Sequence, residues 1–215
     1  MLRKLLVLGG MALASASSAS AAIITYNSEA LFQGAAPTLT FESFEGLAAT
    51  NALGGGAIAG TGFTITPNAA GAGVFNFNSS GAHATDGVNY VLAGFNSGVL
   101  QLSFGAPITH FGLWITDWEG NQTTTTSLSF ANNLGDSAVI VSGIAGSFRP
   151  NGEEIFFGVA STAPFTSVSL ISNSGGDTWG IDEVQTGAVP EPGSLLLLGS
   201  GLVGLASARH RANKR

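Results

Sequence analysis

The chain has 215 residues, of which 31 are glycine, 9% are charged and none is cysteine. Ordinary globular domains run near a quarter charged, so this one is poor in charge and rich in small residues; lacking cysteine, it has no disulfide, thiolate chemistry or Cys-based zinc site. Between residues 23 and 189 one cation, Arg149, stands against twelve acids, a balance of 1 − 12 = −11, which argues against nucleic acid as a partner, because that binding rests on Lys and Arg neutralising phosphates.

The first segment, "MLRKLLVLGGMALASASSASAA", opens with Arg3 and Lys4, continues through an apolar stretch from Leu5 to Leu13, and ends in small residues. Ala19 and Ala21 flank Ser20 in an Ala-x-Ala cleavage site, so residues 1–21 read as a secretory signal peptide and the mature chain is expected to begin near Ala22.

Residues 22–188 are long enough for one domain with a real core. The only helical stretch is "NSEALFQ", where Asn27 or Ser28 caps a single turn expected to bury Leu31 and Phe32. Beyond it the period is two. "LTFES", "GFTIT", "VNYVLA", "VLQLSF", "HFGLWI", "TSLSF", "SAVIVS", "EIFFGVA", "SVSLIS" and "WGIDEV" each alternate or run apolar, and Gly-, Asn- and Asp-rich turns separate them. About ten short strands of this kind predict an all-β fold, an antiparallel β-sandwich of jelly-roll type over about 36–186. The glycine-rich "GGGAIAGTG" has no following Lys and reads as a flexible loop rather than a phosphate loop.

No G-x-S-x-G elbow or H-E-x-x-H motif is present. His110 is out of phase with Phe111 and Leu113 and is expected to face solvent; His83 sits in the turn-like "SSGAHATDG". The acids are the better lead, with Glu42 and Glu45 near the first strands and Asp177, Asp182 and Glu183 around the last. Alternation in "WGIDEV" puts Ile181 and Glu183 on one face, Asp182 and Val184 on the other. With one Arg available, calcium is the natural counter-ion, since it takes six to eight oxygen ligands, backbone carbonyls included. Glu45, Asp177 and Asp182 are its expected side-chain ligands. Trp118, in the loop-like "TDWEGN" between Asp117 and Glu119, is the expected ligand platform, whereas Trp114 in its apolar strand reads as core.

The last segment, "VPEPGSLLLLGSGLVGLASARHRANKR", has three parts. Pro190-Glu191-Pro192 cannot lie inside a helix and marks the start of an uncharged run from Gly193 to Ala208. Sixteen helical residues span roughly 24 Å, short of a ~30 Å hydrocarbon core but within reach of it by local thinning and snorkelling. Arg209, Arg211, Lys214 and Arg215 would remain cytoplasmic. These three parts in this order, at residues 189–215, resemble a PEP-CTERM sorting signal of exported proteins in exopolysaccharide-producing Gram-negative bacteria. The resemblance implies transient anchoring in the inner membrane, recognition by an exosortase (a membrane cysteine protease-transpeptidase) and delivery to the envelope or matrix. "TFESFEGL", "FFGVAS", "FTSVSLIS" and "DTWGIDEV" also resemble the bodies of many such proteins, which look like carbohydrate-binding jelly rolls with first and last strands side by side. The expected function is that of a non-enzymatic envelope or matrix protein associated with exopolysaccharide. The alternatives are a secreted glycan-active enzyme with the same tag and a purely structural matrix component.

Overall fold

A computed structural model describes residues 22–36, 38–68, 71–79, 81–94, 98–118, 126–143, 152–173 and 178–187. The expected signal peptide with Ala19 and Ala21, Asp177, and the tail with Pro190, Glu191, Pro192 and its basic cluster lie outside the described residues.

The described chain is mostly strand, as the period-two pattern leads one to expect. In order it runs β1 (Ile23–Tyr26), α1 (Glu29–Ala35), β2 (Thr40–Glu42), β3 (Ile58–Gly60), β4 (Phe63–Asn68), β5 (Ala72–Phe75), β6 (Tyr90–Ala93), β7 (Gly98–Thr116), β8 (Thr126–Asn132), β9 (Ser137–Gly143), β10 (Glu154–Asn173) and β11 (Trp179–Gly187). All pairings are antiparallel. The sheet begins at Ile23, ahead of the expected start, and β3 occupies part of the glycine-rich stretch expected to be loop.

Two strands are much longer than their sequence segments. "VLQLSF" and "HFGLWI" join into β7, and "EIFFGVA" and "SVSLIS" join into β10. β7 and β10 pair along their length, with register shifts between Ala160, Phe165 and Ser167. Their two halves have different neighbours. The first half of β7 pairs β4 and the second half of β10 pairs β8. The second half of β7 pairs β11, and the first half of β10 pairs β1. A register break of this kind bends a strand, and here the continuous sheet folds over into two layers. Phe111 and Phe157 from one layer meet Phe130 from the other, with ring centroids 6.2 and 5.6 Å apart. Phe104 and Phe165 close the same cluster at the bend. Burying each such ring contributes about 1.5–3 kcal/mol, so the aromatic seam holds the fold closed.

β2 lies beside β11, Val184 opposite Glu42. The "LTFES" segment expected to be the first strand thus lies beside the last, as the resemblance implied, but it is the second strand; the first, β1, pairs β10 instead. The alternation expected for "WGIDEV" fails at Glu183, however. The residue has φ +47, and the register on β7 breaks between Asp182 and Gln185. This bulge turns both Ile181 and Val184 into the core.

Candidate functional site

Asp182 of β11 and Glu45 from the turn after β2 meet one loop. Asp182, fully buried, accepts hydrogen bonds at Oδ2 from Thr85 N (2.8 Å), Thr85 Oγ1 (3.1 Å) and Asp86 N (3.1 Å), and at Oδ1 from Glu183 N (2.8 Å). Glu45 Oε1 accepts from Val88 N (2.8 Å) and Asn89 N (2.6 Å). The two carboxylates thereby hold opposite ends of the Thr85–Asn89 loop, and Asn89 Nδ2 ties it to the carbonyls of Phe44 and Leu47. Glu42 works alike, accepting from Phe44 N, Thr61 N and Thr61 Oγ1 at 2.6–2.7 Å. A calcium ion needs oxygen donors, whereas Glu45 and Asp182 already take protons from N–H and hydroxyl groups. Among the described residues no group of three or more His, Asp or Glu is arranged to hold a metal.

The outer face of the β7–β10–β11 layer carries a different arrangement. His110, Gly112, Trp114 and Thr116 project outward from β7, while Phe111, Leu113 and Ile115 enter the core. Gly112 and Gly158 stand opposite each other on β7 and β10, and Phe32 of α1 fills the slot above them. A Cβ at Gly112 would lie 2.8 Å from the Phe32 ring, and one at Gly158 2.7 Å from it. These glycines are required by close approach. Phe32 is fully buried as expected, but Leu31 is 66% exposed, because a helix of about two turns docked on a sheet buries only one side.

Docking of α1 builds one wall of an open pocket of about 620 Å³. Trp114, half-buried, lines it together with its cross-strand partner Phe156, the rings meeting edge to face at 5.5 Å. Glu29, Glu153 and Glu154 bring carboxylates to it, and Asn27 an amide. Glu29 is held by the side-chain amides of Gln33 (2.9 Å) and Gln185. Glu154 pairs with His83 Nε2 at 3.0 Å, while His83 Nδ1 lies 2.7 Å from the Gly81 carbonyl. Burial pulls the His83 imidazolium down, but the Gly81 carbonyl and Glu154 carboxylate outweigh it and raise its pKa above the ordinary value. Burial raises Asp182 to about 6 against the pull of its N–H donors. Glu183 is raised to about 7 by burial and by the carboxylates of Glu29, Asp182 and Asp86. An indole that lines an open pocket together with three glutamates and an asparagine can bind sugars or cationic groups.

Two tryptophan expectations are corrected. Trp118 is 1% exposed and belongs to the core, so it is no ligand platform; Asp117 at φ +56 turns the chain after β7. Trp114, expected in the core, is the half-exposed one. Its phase with His110 and Gly112 was the available signal. His110 follows that phase, but Phe32 covers it and it is only 7% exposed; burial lowers its pKa.

The family model of the PEP-CTERM protein-sorting motif matches residues 188–212. No curated protein matches the chain. Among solved structures, the K2 cleaved adhesin domain of Lys-gingipain is similar at 14% identity and a TM-score of 0.46, covering 71% of this chain and 99% of that one. A family 29 carbohydrate-binding module is similar at 8% identity and a TM-score of 0.33, over 72% of this chain and 99% of the module. The xylanase 10B of Clostridium thermocellum, solved with xylohexaose, is similar at 14% identity and a TM-score of 0.36, over 69% of this chain and 28% of that one.

Proposed function

Because the chain carries a PEP-CTERM protein-sorting motif at residues 188–212, which implies an exported protein processed by an exosortase, we propose that it is a non-enzymatic envelope or extracellular-matrix protein. Its β body, a jelly-roll-like sandwich, associates with exopolysaccharide through the outer face around Trp114. The motif is the observation that carries this reading. The signal peptide at residues 1–21 delivers the body across the inner membrane, and the apolar run from Gly193 holds it there until the tail is processed. Among the described residues, His83 neighbours the Glu154 carboxylate and the Gly81 carbonyl, and Thr109 Oγ1 lies 3.0 Å from His110 Nδ1.

The test is to fractionate the native host with and without its exosortase and to determine the mature termini by mass spectrometry. The expected result is a matrix or outer-surface protein shortened within residues 188–212, and an inner-membrane protein with an intact tail when the exosortase is absent. Identical fractionation and termini in both strains would overturn the reading.

A second reading, a glycan-active enzyme with the same tag, is favoured by one observation. Glu183, raised to about 7 near the Glu29 carboxylate, has the protonation a general acid needs. Reducing-end release from host exopolysaccharide that disappears in Glu183→Gln would establish it.

A further inference from the structure

The charge around Trp114 restricts what its pocket can take. The described residues include ten carboxylates, the twelve between residues 23 and 189 less Glu119 and Asp177, and neither Lys nor Arg. Three of the ten line the pocket. Glu154 shares its charge with His83, but the partners of Glu29 are the neutral amides of Gln33 and Gln185, which orient the carboxylate without cancelling it. Glu29 also lies near enough to Glu183 to disfavour its ionisation, so the negative field extends beyond the pocket wall. Trp114 presents its indole within this field. An indole face attracts cations as well as sugar C–H faces. A uronate or sulfated chain would set its anions against these acids, and no Lys or Arg among the described residues would offset them.

Resting on the glycan-associating reading above, we propose that the Trp114 pocket is a subsite for cationic amino-glycans, polymers of hexosamine with free amino groups. The sugar ring stacks on Trp114 while its ammonium faces Glu29 and its neighbours. Charge then makes the selection and the indole supplies the attachment.

The test is calorimetric titration of the full-length chain in detergent, at pH 6 and low salt, with three hexamers of equal length: glucosamine, N-acetylglucosamine and galacturonate. We expect the glucosamine hexamer to bind about tenfold more tightly than the acetylated one, with the advantage falling as salt screens the charges, and galacturonate to show no binding. Trp118 and Trp179 are buried at 1% and 2% exposure, so a ligand-induced shift in tryptophan emission reports on Trp114. Trp114→Ala should abolish binding of both hexosamine hexamers. Glu29→Gln keeps an acceptor for Gln33 and Gln185; it should weaken glucosamine binding about threefold, the scale of one exposed ion pair, and leave the acetylated hexamer unchanged. Equal affinity for glucosamine and N-acetylglucosamine would overturn the charge selection while leaving the glycan reading in place. Binding of galacturonate, or glucosamine binding that survives Trp114→Ala, would overturn the proposed subsite. Failure of all three hexamers to bind would overturn both the subsite and the exopolysaccharide association, leaving the exosortase test above to judge sorting on its own.

Discussion

Two groups of carboxylates in this protein solve the same problem in opposite ways. Glu42, Glu45 and Asp182 point at backbone N–H groups and fasten the loops between strands. Glu29, Glu153 and Glu154 line the recess beside Trp114, where Glu29 and Glu154 rely on side chains for partners. In a domain almost without cations, backbone amides take the place that Lys and Arg fill elsewhere. An acid that accepts several N–H bonds is a structural peg. One held by a neutral amide at the rim of a pocket keeps its charge for something outside the chain.

The largest effect that would sharpen this contrast lies at Asp182. Asp182→Ala removes the acceptor for three N–H groups and one hydroxyl and should cost about 2–4 kcal/mol in denaturant unfolding, the scale of orphaned buried donors. Glu154→Gln, at a side chain 49% exposed, should stay within about 0.5 kcal/mol. Equal losses at the two positions would dissolve the distinction between peg and rim. Next comes Gly87, at φ +67 in the loop that Glu45 holds, where a Cβ would lie 2.5 Å from the Glu45 carboxyl carbon. Gly87→Ala combines a left-handed backbone with that collision and should cost about 1–2 kcal/mol. If its stability matches wild type, the loop has rearranged without Glu45 and the peg is dispensable.

Much of this contrast was hidden from sequence, for physical reasons that differ by residue. Strand content was legible because alternation of apolar and polar residues survives in β4, β7, β8 and β10. The joining of four segments into β7 and β10 was not, since a bend with a register shift looks the same as a turn from local pattern. β3 was missed because Ile58 is one apolar residue among glycines and small neighbours. Trp118 was misread because a loop position says nothing about direction once Asp117 takes φ +56. The proximity of β2 to β11 came from a resemblance, and what Glu45 and Asp182 do with it depends on N–H groups that no side-chain pattern records.

The pH dependence offers a smaller effect with a definite sign. Asp182 and Glu183 have folded pKa values raised above their ordinary ones, to about 6 and about 7. The folded state therefore holds more protons than the unfolded one between roughly pH 4 and 7, and stability must fall as pH rises through that window. His83, also raised, loses its contribution as pH rises through its folded pKa and acts in the same direction. His110, lowered by burial, opposes them, adding stability as pH climbs toward its ordinary value. Urea midpoints measured at successive pH values should decline from about pH 4 to 7, and Asp182→Asn should flatten the curve. A midpoint that rises across this range in the wild type would mean the carboxyls are ionised in the fold with no penalty.

The smallest expected effect belongs to calcium. Filling a site on the folded state to a hundredfold over Kd would add about 2.7 kcal/mol, several degrees of midpoint in a domain of this size. An ion bound through Glu45 Oε1 or Asp182 would compete for these oxygens with the N–H donors of Thr85, Asp86, Glu183, Val88 and Asn89. The ion would have to offset the cost of leaving those donors unpaired. Thermal unfolding in excess calcium, excess magnesium and excess chelator, at fixed ionic strength, should therefore give one midpoint. A rise confined to calcium and removed by Asp177→Asn would place an ion between Asp177 and Asp182, and would turn that end of the loop from an amide-held peg into a metal-held one. Glu45 would then be the remaining peg, and Gly87→Ala the substitution that still tests it.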